Sequence, residues 1–567
     1  MRRFFLLALA LAAGLAAGCA GHEDFVLPQP APQAADYAFT ALGNSPLQVT
    51  AARGLLSQGI TAPIVGFSAV SARGGSVEVA SDGSFRYLPP TGLEGSDSFT
   101  YTLANSRGSS TGTVRLTVGP LCWYVDNSRP VSGDGSLAAP FVTLAQAQAA
   151  SGPDDILFVF AGDGSSTGMD SGLTLQAGQD LVGEGAGLTF NNGAEEQVLV
   201  EPGPSPHLVN GSGAVVVLAD GNAVTGCHLS ASAGGPAVAG QSVQGLEVRD
   251  NLFDGADSPF ISLQETSGAL AVTGNTFQGP DNGNALELVA TAPLQASLEV
   301  SANTFEAPPG SAPCCAVLVQ MEGGAQASLN ASGNLVRSAD ATAAYEDGFA
   351  VVSDSGGGVQ LSLSDNTLEA AALHGIILDP DGALTGTVSQ NTIRDTLFGV
   401  LIANQSGGSA ALTLSGNTLE NATLSAVSLQ ACGTLAATVS LTGNTVTGSQ
   451  GVGADASACD TTLVSYSFTG NSASGCDQEG LFLSSQGQGQ LRARVQANRL
   501  TGNNTGGGAA SLTALSADTS STCLALLDNI TDDYQLQQAD ASVFVAQESG
   551  NTGTRTTQGT ITPGTCP

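Results

Sequence analysis

Lysine is absent from this chain of 567 residues, and all fifteen of its basic residues are arginine. Charged residues of either sign make up 11% of the sequence, and the formal net charge is −34. Nucleic acids and anionic membrane surfaces are bound through basic patches, which this composition does not supply. We therefore expect no nucleic-acid partner.

Long apolar runs are also lacking. The run from Phe4 to Gly18 follows Arg2 and Arg3, and it is shorter than the about 20 residues that a membrane-spanning helix needs. A basic start, a brief apolar segment and small residues at its end are typical of a secretory signal. The sequence therefore predicts a signal peptide over residues 1–18.

The residues around the predicted cleavage point, Ala16-Ala17-Gly18-Cys19, resemble the lipobox of bacterial lipoproteins. The resemblance implies cleavage after residue 18, acylation of Cys19, and an extracytoplasmic protein anchored by lipid to a bacterial membrane, at the outer membrane or cell surface. An ordinary signal peptide with an incidental cysteine is the alternative. Residues 19–35 carry three prolines and few apolar residues, which indicates an extended tether after the lipidated cysteine.

Aromatic residues are few (5%), whereas glycine is abundant at 74 residues, a composition that favours a turn-rich β protein. Short alternating segments recur between residues 36 and 119, among them Gly95–Tyr101 and Thr113–Val118. They resemble the cadherin-like or immunoglobulin-like domains of bacterial surface proteins, which implies a β-sandwich that acts as a spacer or adhesive module. Relatives of this kind include calcium binders, but we interpret Asp82, Glu94 and Asp97 as turn residues.

A second unit begins at Trp123. The segments Trp123–Ser128, Gly133–Ser136 and Pro140–Leu144 resemble the opening of pectin-lyase-like proteins. The resemblance implies an all-β architecture in which the sandwich is followed by a right-handed, single-stranded parallel β-helix over residues 121–567 with a C-terminal cap. It also implies a short helix at Leu144–Ala150 that covers the open end of the first coil.

One signature, apolar-x-apolar-x-x-Asn-Thr-apolar, recurs through the second unit at intervals of 24 to 32 residues. A repeat of this length marks a solenoid. Leucine-rich repeats share the period, but their leucine spacing and helical half are missing. The recurrent asparagines are Asn251, Asn275, Asn303, Asn334, Asn366, Asn391, Asn417, Asn444, Asn471, Asn498 and Asn529, and Cys227 takes the same position one coil earlier.

Stacked coils lie about 4.8 Å apart, so residues one repeat apart become neighbours. We expect the asparagines to form a ladder, to occupy left-handed turn positions and to bond through their amides to the asparagines above and below. Two residues later comes an apolar residue, which predicts an interior ladder. Three residues after the asparagine come Glu306, Arg337, Glu369, Arg394 and Glu420, whose charges alternate in sign. Opposite charges on stacked strands attract each other, so the alternation supports this register.

Nine cysteines follow Cys19, none with a zinc-type spacing, and we expect no metal site. Cys432 and Cys459 each precede their coil's asparagine by twelve residues, which predicts a disulfide between them, with Cys459–Cys476 as the rival pairing. Cys523 and Cys566 are candidates for tying the C-terminal tail to the last coil. Because nine is an odd number, an odd cysteine remains free or pairs between chains.

Catalytic motifs are scarce. Asp354 and Asp381 lie 27 residues apart in similar stretches, with Asp379 nearby, and such a cluster suits a calcium ion or paired carboxylates acting on a glycoside. Turn-capping aspartates are the alternative, and we favour it. Asp347 is expected to stack on His374. His207 and His228 have no paired serine or cysteine. The sequence also lacks the catalytic motifs of the polysaccharide lyases and polygalacturonases that its second unit resembles in fold.

Two functions follow. The first is a non-catalytic structural or adhesive surface protein that binds glycans or other surface proteins through ladders of Asn, Ser, Thr and Gln. The second is a polysaccharide lyase or glycoside hydrolase with its cleft near Asp354 and Asp381. An ice-binding face would need regular threonine arrays, whereas the ladder from Thr276 to Thr445 is single and broken.

Overall fold

A computed structural model describes residues 30–566, apart from 233, 256–258, 281–282, 312, 339–343, 355, 405 and 507–509. The predicted signal peptide and Cys19 lie outside the described residues. Almost all regular structure is β, with an N-terminal sandwich followed by a parallel solenoid of about 13 turns. The predicted fold class is confirmed.

The N-terminal sandwich consists of two sheets around a core that includes Phe39, Phe85, Tyr87 and Tyr101. Its first strand pairs in parallel with its last, starting at Tyr37 opposite Val114. One sheet contains Tyr37–Gly43, Ile64–Phe67, Gly95–Asn105 and Gly108–Val125, and the other contains Leu47–Val49, Ser76–Val79 and Phe85–Leu88.

The last strand of the sandwich, Gly108–Val125, continues without a break into the solenoid. Its last four residues, Cys122–Val125, pair in parallel with Ile156–Val159 of the first coil. A hairpin of Leu188–Asn191 and Glu196–Val200 reaches back to the sandwich, where the backbone N–H and the hydroxyl of Thr50 both donate to the Glu195 carboxylate at 2.8 Å. The two units therefore share a strand and a set of side-chain contacts.

Each solenoid coil contributes strands to three faces, which we name the long, short and third faces in the order of the chain. The long face contains, after residue 125, Ile156–Val159, Asp180–Gly183, Ala223–Thr225, Gln244–Arg249, Ser267–Thr273, Gln295–Ser301, Gln326–Ser332, Gly358–Ser364, Ala383–Ser389, Ser409–Ser415, Ala436–Thr442, Leu463–Thr469, Gln490–Gln496, Ser521–Leu527, Val543–Ser549 and Ile561–Pro563.

The short face follows the recurrent asparagines. It contains His207–Val209, His228–Ala231, Leu252–Gly255, Thr276–Gln278, Thr304–Ala307, Leu335–Ser338, Thr367–Glu369, Thr392–Arg394, Thr418–Glu420, Thr445–Thr447, Ser472–Ser474 and Arg499–Leu500.

The third face contains Leu173–Thr174, Val216–Val217, Val238–Gln241, Ile261–Gln264, Leu286–Ala290, Cys315–Met321, Asp347–Ser353, His374–Pro380, Phe398–Asn404, Ser425–Ala431, Val452–Ala458, Leu481–Ser485 and Leu512–Ser516. In the last coils the short and third faces merge into the continuous strands Ile530–Gln538 and Thr552–Gln558.

Two short helices complete the described elements, the α-helix Leu144–Ala150 and the 3-10 helix Glu184–Ala186. The α-helix begins after Thr143, whose hydroxyl accepts from the backbone N–H of Gln146. Leu144 and Ala147 are buried in the solenoid core beside Leu121 and Trp123. The helix lies where the resemblance to pectin-lyase-like proteins implies it, and it covers the apolar interior of the first coil.

The recurrent asparagines form a buried ladder. In each coil the side-chain oxygen accepts both the backbone N–H and the amide N–H of the preceding asparagine; from Asn334 to Asn366 these distances are 3.0 and 2.8 Å. The amide of Asn366 in turn donates to the carbonyl of Ala331 at 3.0 Å. Asn551, which the repeat analysis missed, extends the ladder by one coil. The ladder satisfies backbone groups that the turn would otherwise leave unpaired.

The expectation that the asparagines themselves adopt left-handed backbone angles is wrong. The residue with positive φ is the one before each asparagine, for example Asp365 at 57° and Gly416 at 63°. Glycine holds this position in several coils because it has no Cβ to strain there. The asparagine is selected instead for its amide, which bonds to adjacent coils.

The interior and outward ladders follow the predicted register. Phe253, Phe277 and Phe305 are fully buried and stack with ring centroids 4.8 and 4.6 Å apart. On the outside, Arg337 pairs with Glu306 at 3.2 Å and Arg394 pairs with Glu369. The alternating charges are therefore stacked neighbours on the short face.

Candidate functional site

A shallow groove of about 620 Å³ runs across five coils of the long face. Ser297, Ser328, Gln360 and Thr385 occupy one outward column in it, at adjacent levels of the stack. The lining also includes Gln295 and Gln326, and it contains no charged and no aromatic side chain. The hydroxyl of Ser328 donates to that of Ser297 at 3.1 Å. This surface offers amide and hydroxyl groups at a regular spacing.

The structure brings together the three aspartates predicted as a weak catalytic or calcium site. Ser353 pairs with Pro380 on the third face, so Asp354 and Asp381 leave adjacent strands at the same position. Burial, together with the nearby carboxylates of Asp381 and Asp354, raises the pKa of Asp379 to about 6. One carboxylate oxygen of Asp379 is buried without a hydrogen-bond partner.

The Asp381 carboxylate is already engaged within the chain. It accepts from the amide of Asn404 and from the hydroxyl of Ser406, the latter at 2.9 Å. These bonds tie one turn to the next, as the turn-capping interpretation expects. A carboxyl group with a raised pKa beside two further carboxyl groups is the arrangement of a general acid, so any acid chemistry of the cluster would depend on Asp379.

A second polar group lies at the start of the same strands. Asp347 stacks on His374 as expected, with Oδ1 2.7 Å from Nδ1, and both side chains are mostly buried. One level below, Cys315 approaches the other Asp347 oxygen at 3.9 Å. The sulfur of Cys314 lies 3.0 Å from that of Cys315, and the two are not bonded.

The expectation that His207 and His228 lack a serine partner is wrong. On the short face, His207 pairs with His228, and Ser230 of the same strand pairs with Asp254. The Nε2 atom of His207 lies 2.7 Å from the hydroxyl of Ser230, and Nε2 of His228 lies 2.8 Å from the Asp254 carboxylate. Ser230 also donates to Asp254. These four residues form one cluster, which we call the histidine cluster.

Contacts within the histidine cluster and burial shift the pKa values of Asp254 and His207. The hydrogen bond from His228 is the main cause that lowers the pKa of Asp254. Burial lowers the pKa of His207, and the neighbouring His228 lowers it further. The two imidazole rings stack with centroids 4.3 Å apart. A serine nucleophile would need a group that orients its base, and among the described residues Nδ1 of His207 has no hydrogen-bond partner.

Two family models match the chain. One, described as a bacterial Ig domain, covers residues 29–117, and the other, described as a right-handed β-helix region, covers residues 347–520. No curated protein and no solved structure is significantly similar to it.

The chain joins a bacterial Ig domain to a right-handed β-helix.

Two disulfides are present in the β-helix. Cys432 and Cys459 are bridged with their Cα atoms 4.7 Å apart, and Cys523 is bridged to Cys566 of the tail at 5.5 Å. The first is the pairing expected from the register, the second joins the two cysteines named as candidates for tying the tail, and the rival partner Cys476 is buried and unbridged. The second bridge ties the C-terminal segment to the long face.

Within the Ig domain, the interpretation of Asp97 as a turn residue is wrong. It lies inside the strand Gly95–Asn105 and is 5% exposed. Its carboxylate accepts from the hydroxyls of Ser71 and Tyr87 at 2.5 and 2.7 Å, and from the backbone of Arg73 at 2.9 Å. Burial raises the pKa of Asp97, but these hydrogen bonds outweigh it, so the net pKa is lowered. Asp97 is thus a buried structural carboxylate.

No helix in the part of the chain that the structure describes has the length and apolarity to cross a bilayer.

Proposed function

We propose that this protein is an exported, lipid-anchored surface protein whose β-helix binds neutral glycans along the groove of the long face. The observation that carries the proposal is the column of Ser297, Ser328, Gln360 and Thr385, which presents uncharged hydrogen-bonding groups at the spacing of the coils. Sugar hydroxyls are bound by such groups, and the net charge of −34 disfavours acidic glycans.

The groove lining contains no aromatic platform, so recognition would rest on hydrogen bonds alone. Single hydrogen bonds exchanged with water contribute only about 0.5–1.5 kcal/mol each. Affinity would therefore be low for short oligosaccharides and would rise with chain length as more coils are engaged. The Ig domain then acts as a spacer between the lipid anchor and the β-helix.

The test is binding of the chain from residue 20 onward to arrays of neutral polysaccharides. Ser328→Arg places a bulky charge in the groove, and we expect it to weaken binding at least tenfold. Thr438→Arg makes the same kind of change in the same outward column, outside the groove, and should leave binding unaltered. Equal binding by both variants and the unmodified protein would reject the groove as the site.

A second candidate function, polysaccharide cleavage, is favoured by one observation, the raised pKa of Asp379 beside Asp354 and Asp381. Glycan release should then be lost in Asp354→Ala, Asp381→Ala and Asp379→Asn, whereas Ser328→Arg would not remove the catalytic groups. Release of product by the unmodified protein and its loss in these variants would replace the binding proposal with an enzymatic one.

A further inference from the structure

The histidine cluster lies on three adjacent strands of the short face, His207–Val209, His228–Ala231 and Leu252–Gly255. Parallel pairing places the two histidines at one level and Ser230 and Asp254 two residues further along. One ligand atom from each of His207, His228 and Asp254 lies within 4.8 Å of the other two. Residues from three successive coils thus converge on one point.

The donor set has the composition of a transition-metal site. Imidazole nitrogens and one carboxylate oxygen suit zinc and its neighbours, whereas calcium and magnesium require oxygen ligands. The side chains of His228 and Asp254 are 24% and 38% exposed, so an ion in solution has access to them. Ser230 contacts both His207 and Asp254, and such hydrogen bonds hold metal ligands in orientation.

Metal binding would need the side chains of the cluster to move closer together. Zinc–nitrogen bonds of about 2.0–2.1 Å in a tetrahedral site place ligand atoms about 3.3 Å apart, so the stacked rings must tilt towards each other. The hydrogen bond between His228 and Asp254 would be exchanged for two bonds to the ion. We propose that His207, His228 and Asp254 bind a divalent transition-metal ion of the zinc type, with a fourth position open to solvent.

The ion would cross-link three coils near the end of the β-helix that the Leu144–Ala150 helix covers. Because it binds the folded state, it would stabilise this end in proportion to its concentration and affinity. The site is separate from the long-face groove and does not depend on glycan binding.

The test is calorimetric titration of zinc chloride into the chain from residue 20 onward, prepared without a histidine tag. We expect one ion per chain, and at least tenfold weaker binding in His207→Gln, His228→Gln and Asp254→Asn. His374→Gln is the matched control, because His374 also bonds to a carboxylate but has no second histidine beside it. His22→Gln controls for the remaining histidine, which lies outside the described residues. Both controls should bind as the unmodified protein does.

A second measurement distinguishes loss of the metal site from misfolding of a variant. Zinc should raise the thermal unfolding midpoint of the unmodified protein and of His374→Gln, and it should leave the midpoint of a folded Asp254→Asn variant unchanged. Cobalt substitution should give the visible absorption of a tetrahedral site. Absence of binding at micromolar zinc, binding that survives in the three site variants, or binding lost in His374→Gln would each overturn the proposal.

Discussion

At the residue scale, single polar side chains hold the interior of this molecule in register. Each asparagine of the ladder satisfies groups in two neighbouring coils, and Asp97 gathers four donors inside the Ig domain. These residues are nearly inaccessible to solvent. Removing one therefore leaves its partners buried and unpaired, which costs more than the lost bond alone.

Asn366→Ala should lower the free energy of unfolding by about 2–4 kcal/mol, since it leaves donors of Asn334 and the carbonyl of Ala331 without partners. The neighbouring Thr367→Ala removes a partly exposed side chain and serves as the control. Denaturant unfolding followed by circular dichroism measures both variants. Equal losses in the two would show that the ladder contributes no special stability.

Asp97→Ala should destabilise the Ig domain by about 2–4 kcal/mol, because the hydroxyls of Ser71 and Tyr87 lose their acceptor in the core. The pKa of Asp97 is lowered in the fold, so its contribution is complete above about pH 4 and is lost as the pH falls through the folded-state value. The difference between variant and unmodified protein should shrink in acid. A pH-independent difference would contradict this assignment.

Asp455 makes the opposite contribution. Burial raises its pKa to about 6 despite hydrogen bonds from Ser425 and Ser428. The folded state then binds the proton more tightly, so the protein loses stability as the pH rises from about 4 to about 6. Asp455→Asn should be more stable than the unmodified protein by about 1–3 kcal/mol at pH 8 and not at pH 4. Thermal unfolding at the two pH values measures this, with Asp170→Asn as a substitution of the same kind at an exposed position.

At the scale of strands and turns, sequence reasoning succeeded where the coils repeat. The stacked charges and the Cys432–Cys459 bridge follow once the asparagines define the register, whereas the helix Leu144–Ala150 was expected from the resemblance to pectin-lyase-like proteins. It failed where the repeat gives no alignment. His207 precedes Cys227, the earliest position in the repeat, so no signature placed it one level away from Ser230, which is 23 residues further along the chain.

The other features that were not predicted from the sequence have different causes. Asn551 follows Gly550 and an alternating strand, so the sequence did contain its signal. The left-handed position was assigned one residue too late because glycine, aspartate, alanine and glutamine all occupy it, which hides the pattern. The groove depends on the shape of five coils together, and the raised pKa of Asp379 depends on burial. Neither the groove nor the raised pKa can be recognised from a local sequence motif.

The alternating charges on the short face, from Glu306 to Glu420, allow a direct test of the register. Arg394→Glu would place like charges between Glu369 and Glu420, and we expect a loss of about 0.5–1 kcal/mol that added salt reduces. Arg499→Glu changes a charge whose paired neighbours, Ser472 and Ile530, are uncharged. Unfolding at low and high ionic strength compares them. A loss in Arg394→Glu that salt does not alter would exclude repulsion as its cause.

At the scale of the whole molecule, the Ig domain and the β-helix are joined by a shared strand. The junction at residues 119–121 lies within Gly108–Val125, and Leu42, Tyr124, Phe158 and Leu188 form a buried cluster beside it. Brief digestion with a nonspecific protease should therefore produce no early cut between residues 108 and 125, as mass spectrometry of the fragments will show. A fragment starting near residue 120 would reveal an ordinary linker.

The parallel pairing of the first Ig strand with this shared strand has a mechanical consequence. A load pulling on the N-terminal side of Tyr37 and on the β-helix acts along both strands in opposite directions. Their hydrogen bonds are then sheared together instead of being peeled one after another. An anchor placed before residue 30 would thus transmit force to the β-helix through a joint that breaks only when the whole strand pair slips.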